Sequence, residues 1–277
     1  MNGGVKIIFL VLLISVACEK NDVLPQPPPE TQTPAPRTDT VAFKEENHVV
    51  PDSTAGSDTY QYGEYHHMPY RYLIPKGYDS LKTYPLHIFL HGISERGNDN
   101  EQQLLVGGEN FQADSVRERY PAFIIFPQCP ESQFWFDDPV MDTLRGLIDT
   151  FASNHSVDQD RISIGGFSMG AYGTFAMVAR NPKLFQAAVA ISGEGEEKKA
   201  SLMTKPDWEI FAGGKDKVVP KDKSWKIAKA LQKAGASVTF KSFEEADHYT
   251  TWVKAFAAPG FFSRIFRAAP AEKPGGH

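Results

Sequence analysis

Cysteine is scarce in this chain: two residues in 277, Cys18 and Cys129. A disulfide framework is therefore excluded as the basis of the fold. Neither cysteine belongs to a Cys/His cluster with metal-ligand spacing. No Gly-rich phosphate loop and no internal repeat is visible. The main apolar run, residues 7–17, is shorter than the ~20 residues of a bilayer-spanning helix. An excess of positive charge is also lacking, since the formal net charge is -5. That balance argues against nucleic acid as a partner. A chain that needs no metal and no cofactor is expected.

The N-terminus is informative. Lys6 precedes the apolar run, which has the length of a signal-peptide core. It ends in Ile14-Ser15-Val16-Ala17-Cys18. Small residues before a cysteine resemble a bacterial lipobox, with Ser15 where leucine is usual. Cys18 is the lipidated residue on this reading, and residues 1–18 are a lipoprotein signal peptide. Residues 19–58 carry Pro25, Pro27, Pro28, Pro29, Pro34 and Pro36 among polar residues. Such a segment has little to bury and reads as a disordered linker. Residues 268–277 read as a disordered tail. The expected location is the cell envelope, with membrane contact only through an N-terminal lipid anchor. Residues 59–267 remain, enough for one domain with a sizeable core. Cys129, flanked by Pro127, Gln128 and Pro130, reads as a small buried thiol after a strand.

Short apolar runs at 70–74, 86–90, 122–126, 162–165, 187–191 and 209–212, and the alternating stretch 238–243, read as strands. Between them, Val140, Leu144, Leu147, Ile148 and Phe151 recur at helical spacing, as do Ile227, Ala228 and Leu231. Unbroken apolar strands mean a sheet covered on both faces. The fold class is α/β, with a mostly parallel central sheet and helices on both faces.

Chemistry concentrates at Gly166-Phe167-Ser168-Met169-Gly170, a G-x-S-x-G sequence between an apolar run and a helix-like segment starting at Ala171. A serine in a sharp strand-to-helix turn needs small residues on either side, because strand and helix crowd together there. Such a serine should be followed in chain order by an acid and a histidine. Asp216 lies in the Gly-rich turn after the strand at 209–212. His248 follows the last strand. A serine is a weak nucleophile at neutral pH. A histidine can take its proton, and an aspartate can fix the imidazole tautomer. Asp222 and Glu244 are weaker rivals for the acid, because neither opens the first turn after a strand. His66, His67 and His155 lie in presumed loops, His87 within a strand and His277 in the tail.

A second motif is the run 86–90 ending in His91-Gly92-Ile93. The backbone N–H of Ile93, with that of Met169, is the expected pair of donors to a developing oxyanion. Glu95 and Arg96 are candidates for an ion pair bracing this turn. Trp135, between Phe134 and Phe136, and Glu194 are candidates for substrate binding.

Four stretches together resemble a known family: residues 91–104, Pro127-Gln128-Cys129-Pro130 with Trp135, residues 166–170, and Asp247-His248 with residues 252–256. The chain resembles an α/β-hydrolase of the phospholipase/carboxylesterase type, close to secreted predicted-peptidase and polyhydroxybutyrate-depolymerase-like esterases. The resemblance covers residues 60–266. It implies an α/β-hydrolase fold and a Ser-His-Asp esterase, carried here by Ser168, His248 and Asp216. A small or polymeric ester, short-acyl or aryl, such as a carbohydrate ester, is the expected substrate. A serine peptidase-like hydrolase and a non-catalytic surface binding lipoprotein are the alternatives.

Overall fold

The computed structural model describes residues 59–266. The signal peptide with Cys18, the linker 19–58 and the tail 268–277 lie outside the described residues. In chain order come strands β1 (Gln61–Tyr65), β2 (Met68–Leu73), β3 (Tyr84–Leu90), then helices α1 (Gly108–Gln112) and α2 (Asp114–Arg119). They continue with β4 (Phe123–Pro127), α3 (Asp138–Asn154), β5 (Val157–Phe167), α4 (Met169–Arg180), β6 (Ala187–Ile191) and β7 (Asp207–Gly213). The last are α5 (Lys221–Lys233), β8 (Val238–Phe243), α6 (His248–Phe256) and α7 (Phe261–Ile265). Short 3-10 segments stand at Ile93–Glu95, Gln102–Leu104 and Glu197–Leu202.

All eight strands form one sheet in the order β1-β2-β4-β3-β5-β6-β7-β8. From β4 through β8 every neighbouring pair is parallel, and only the pairs β1–β2 and β2–β4 are antiparallel. Each of the seven expected strands is present. β1 was not anticipated, because Gln-Tyr-Gly-Glu-Tyr at the sheet edge is half-buried on one face and exposed on the other. β5 begins earlier than expected, at Val157, with the polar stretch Asp158-Gln159-Asp160.

The central strands carry apolar residues on both faces because each face of the sheet meets a core. Leu86, Ile88 and Leu90 of β3 join one cluster with α3, α4 and α5 residues such as Leu144, Phe175 and Ile227. Phe89 joins the other cluster with Phe111 of α1, Phe256 of α6 and Phe261 of α7. His87 shares that second face. It is fully buried, stacked on Phe111 at 5.1 Å, with Nδ1 2.9 Å from Ser163 Oγ. Its Nε2 has no partner, and burial depresses its pKa to about 3.

Candidate active site

The site is built at the C-terminal ends of the parallel strands, where open α/β sheets collect functional groups. β5 ends at Phe167 and α4 starts at Met169, which leaves Ser168 alone at the corner. Its backbone has φ 53° and ψ -119°, a conformation that costs a non-glycine residue of the order of 1–3 kcal/mol. Two contacts hold it there. Ser168 N–H donates to Ile191 O at 2.9 Å. The flanking glycines let the backbones close: a Cβ at Gly170 would lie 1.9 Å from Leu90 O, and one at Gly166 2.4 Å from the Gly170 carbonyl.

Asp216 sits three residues past the end of β7 with its carboxylate buried. Its Oδ1 accepts from the N–H groups of Val218 and Val219, at 2.9 and 2.8 Å. Oδ2 then faces His248 Nδ1 at 2.8 Å. A carboxylate only accepts, so Nδ1 carries the proton and donates. Nε2 of the neutral ring is left as an acceptor, 2.9 Å from Ser168 Oγ. His248 is the first residue of α6, and that helix start is fixed by a capping box. Asp247 Oδ1 accepts from Thr250 N–H at 2.8 Å, and Thr250 Oγ1 accepts from Asp247 N–H at 2.9 Å. The structure thus brings Ser168, His248 and Asp216 into one hydrogen-bonded chain. The rival carboxylates lie elsewhere: Glu244 pairs with Lys221 on the surface, and Asp222 is exposed in the first turn of α5.

The register of β3 on β5 pairs Leu90 with Gly166. The turn after β3 therefore stands beside Ser168. Ile93 opens a 3-10 turn and Met169 opens α4, so both N–H groups precede the point where intrahelical bonding begins. His91 supports this turn from below. Its Nε2 accepts from Cys129 N–H at 3.0 Å, so Nδ1 carries the proton and donates to Gly92 O at 2.6 Å. Burial lowers its pKa to about 4, which keeps the ring neutral. Gln128 anchors the rest of the loop, accepting from Asn100 N–H at 2.8 Å and donating to Asp99 Oδ1 at 3.0 Å. The expected Glu95–Arg96 ion pair does not form. Arg96 turns to the carbonyls of Ile93 and Gln133, and the half-buried Glu95 folds back over Gly92. Cys129 is buried as expected, and burial pushes its thiol up to about 12.

A groove of about 690 Å³ runs along the side of α4. Tyr172, Phe175, Ala176, Ala179 and Arg180 line it at spacings of three and four, so it follows one helix face. It begins one turn past Ser168 and extends roughly 12 Å further, at 1.5 Å per residue. Glu194 lines it. Its carboxylate accepts from Tyr172 O–H at 3.3 Å and Lys223 Nζ at 2.8 Å. Trp135 does not line it. That side chain is fully buried, and its indole N–H donates to His91 O at 3.0 Å. The substrate-binding role expected of Trp135 is corrected: it packs in the core beneath the 91–93 turn. Phe136, 44% exposed and stacked on Phe134 at 5.2 Å, forms the lip of the groove in its place. Tyr172 was not anticipated. Its position four residues after Ser168, on the same helix face, was the available signal.

A mostly parallel sheet with helices on both faces, and a serine at the strand-to-helix corner hydrogen-bonded to a histidine that is in turn bonded to an aspartate, define the α/β-hydrolase class. Residues 131–259 match the model of the dienelactone hydrolase family. An acyl-protein thioesterase 1 of Debaryomyces hansenii is 30% identical over 210 residues, 65% of this chain and 90% of its own length. The chain belongs to the α/β-hydrolase esterase family that this thioesterase represents. A poly(3-hydroxyalkanoate) depolymerase C of Paucimonas lemoignei is 37% identical over 62 residues, 22% of this chain and 15% of the depolymerase. Among solved structures, a thermostable esterase superposes with a TM-score of 0.70 at 27% identity, over 75% of this chain and 62% of that one. The chain thus spans less than two thirds of either of those two proteins. A ferulic acid esterase of Anaeromyces mucronatus shares the fold, with a TM-score of 0.60 at 16% identity over 76% of this chain and 90% of that one.

Proposed function

We propose that this protein is a serine esterase working outside the cytoplasm on short-acyl or aryl esters of carbohydrates. The observation that carries the reading is the chain Ser168–His248–Asp216, at 2.9 and 2.8 Å, with the proton on His248 Nδ1. In the first step Ser168 Oγ attacks the ester carbonyl carbon while its proton passes to His248 Nε2. Asp216 stabilises the imidazolium through Nδ1–H. The carbonyl oxygen takes the negative charge and accepts from Ile93 and Met169 N–H; losing one such donor typically costs about a hundred- to a thousand-fold in rate. The C–O bond to the alcohol then breaks, and the leaving oxygen takes the proton from Nε2. Water repeats the sequence on the acyl-enzyme and restores Ser168.

The substrate class is supported by the groove along α4, which Tyr172, one turn past Ser168, begins. It is open, has an aromatic lip at Phe136 and carries charged groups at Arg180, Glu194 and Lys199. Aromatic faces stack on sugar or aryl rings, and charges at the rim suit a hydrated polymer better than a lipid chain. The 1–18 segment with Cys18 supports placement at the cell envelope.

Labelling with a fluorophosphonate tests the nucleophile: wild type should react, and Ser168→Ala should not. Persistent labelling of Ser168→Ala would remove Ser168 from the mechanism. Release of acetate or ferulate from natural polysaccharide tests the substrate class. Hydrolysis confined to long-chain lipids would sink that part. Metabolic incorporation of a fatty acid, lost in Cys18→Ala, tests the anchor.

A further inference from the structure

The 3-10 segment Glu197–Leu202 is a ridge with a groove on each side. Lys199 and Leu202 line the groove that starts near Ser168. Glu197, Lys198, Ala200 and Ser201 face a second groove, also of about 690 Å³, whose far wall is α5. Four lysines line this second groove, Lys198, Lys226, Lys229 and Lys233, against one glutamate, Glu197. The chain as a whole carries a net charge of -5, so the concentration of positive charge is local. Lys198 is paired with Glu196 at 3.0 Å. Among the described residues, Lys226, Lys229 and Lys233 have no carboxylate partner. Trp225 stands at the same wall, 41% exposed, braced edge-on by Phe240 at 5.0 Å. Lys229 Nζ lies 4.8 Å from the centre of its ring. Trp225, Lys229 and Lys233 form one row along α5, about 12 Å long at 1.5 Å per residue.

We infer that this second groove binds an acidic polysaccharide, a uronate-type chain whose sugar ring stacks on Trp225 and whose carboxylates meet Lys226, Lys229 and Lys233. An indole braced by Phe240 offers a rigid flat surface to the apolar face of a sugar. Unpaired ammonium groups beside it supply the charge complement. The groove is open, and the row of Trp225, Lys229 and Lys233 along its wall suits an extended chain. The shared ridge lets one polymer cross from this groove to the one beside Ser168. The choice of a glycan rests on the esterase reading above; the positive groove does not.

The test measures binding of the full chain to polygalacturonate, which carries no ester and so reads binding apart from hydrolysis. The comparison probes are a neutral cello-oligosaccharide, phosphatidylserine-containing vesicles and single-stranded DNA, all at equal ionic strength. Polygalacturonate should bind best, and its affinity should fall as salt shortens the screening length. The variant Lys226→Gln/Lys229→Gln/Lys233→Gln should bind it about tenfold more weakly. Trp225→Ala should also weaken binding, and an unchanged thermal midpoint for the lysine variant excludes unfolding as the cause. Undiminished polygalacturonate binding by both variants, or stronger binding to vesicles or DNA, would overturn the inference. Failure to hydrolyse any ester while polygalacturonate binding persists would instead overturn the esterase reading.

Discussion

The two buried histidines of β3 and its following turn make stability depend on pH in a way that can be worked out. An imidazole normally titrates at 6.5, whereas burial holds His87 near 3 and His91 near 4. A base with a lowered folded pKa is neutral in the native state while the unfolded chain is already protonated. Between the two pKa values the unfolded state binds more protons, so stability falls as pH falls from 6.5 towards 3 or 4. The slope is about 1.4 kcal/mol per pH unit for each ring. At pH 5, one and a half units below the ordinary value, each ring costs about 2 kcal/mol. Together they consume about 4 kcal/mol of a stability that is typically 5–15. His155, half-buried on Phe151, shifts in the same direction.

The variant His87→Leu isolates one of these contributions. It is close to volume-conserving, and it removes the partnerless Nε2. Ser163 Oγ keeps its bond to Leu86 O at 3.3 Å, so the substitution orphans no group. At pH 7.5 its stability should lie within about 1 kcal/mol of wild type, the net worth of the lost Nδ1 bond. At pH 5 it should have gained about 2 kcal/mol relative to wild type. Urea unfolding followed by tryptophan fluorescence at several pH values between 7.5 and 4.5 reads this directly. Parallel stability curves for the two proteins would refute the reasoning. His91 adds a functional consequence. Protonated, its ring would present donors to both Gly92 O and Cys129 N–H, breaking the bond that seats the turn holding Ile93.

Three further outcomes follow from the site geometry. Asp216→Asn keeps the shape but lets the side chain offer donors where His248 Nδ1–H needs an acceptor, so kcat should fall by roughly 10⁴ with KM little changed; near-normal turnover on a chromogenic ester would assign the acid elsewhere. Gly170→Ala places a methyl 1.9 Å from Leu90 O, a backbone atom that cannot swing away. It should destabilise by ~4 kcal/mol or more, seen as a large drop in urea midpoint or loss of soluble protein. Asp247→Ala removes the side-chain half of the capping box under His248, so stability should fall by about 1 kcal/mol. Turnover should fall with it, which equilibrium unfolding and steady-state kinetics on the same preparation would show.

The fold and the chemical centre were legible because each was encoded by short-range necessity. Glycine at 166 and 170 is imposed by backbone atoms at 2.4 and 1.9 Å, so the sequence had to display the corner. Asp216 follows a strand with a visible apolar run and His248 one with visible alternation, and chain order then assigns their roles. The edge strand β8 shows itself by alternation, and the interior strands carry largely apolar runs because two cores press on them. β1 lacks that signal, being an edge strand with one solvent face. The helix bearing His248 was also missed, since His-Tyr-Thr-Thr-Trp is poor in strong helix formers. Its start is set by the Asp247–Thr250 box, and its inner face by packing of Thr251, Ala255 and Phe256.

Trp135 and Phe136 show why the binding surface resisted the same reading. They are neighbours of like chemistry in one loop, and nothing in their spacing says which faces inward. The choice is made by a distant group: His91 O, left free at the end of β3, accepts from the Trp135 indole N–H and draws that ring into the core. Phenylalanine has no donor to offer that carbonyl, so Phe136 goes outward, where it stacks on Phe134 and faces Tyr172 at 6.5 Å. The groove wall is therefore a consequence of satisfying a buried carbonyl. The same bond ties the wall to the turn that carries Ile93. Trp135→Phe should accordingly disturb both together, releasing the turn through the lost hydrogen bond while making the two aromatic positions chemically equivalent. A fall in kcat on a small ester, accompanied by altered selectivity between acetyl and aryl esters, is the expected result. Unchanged kinetics on both substrates would separate the groove from the turn.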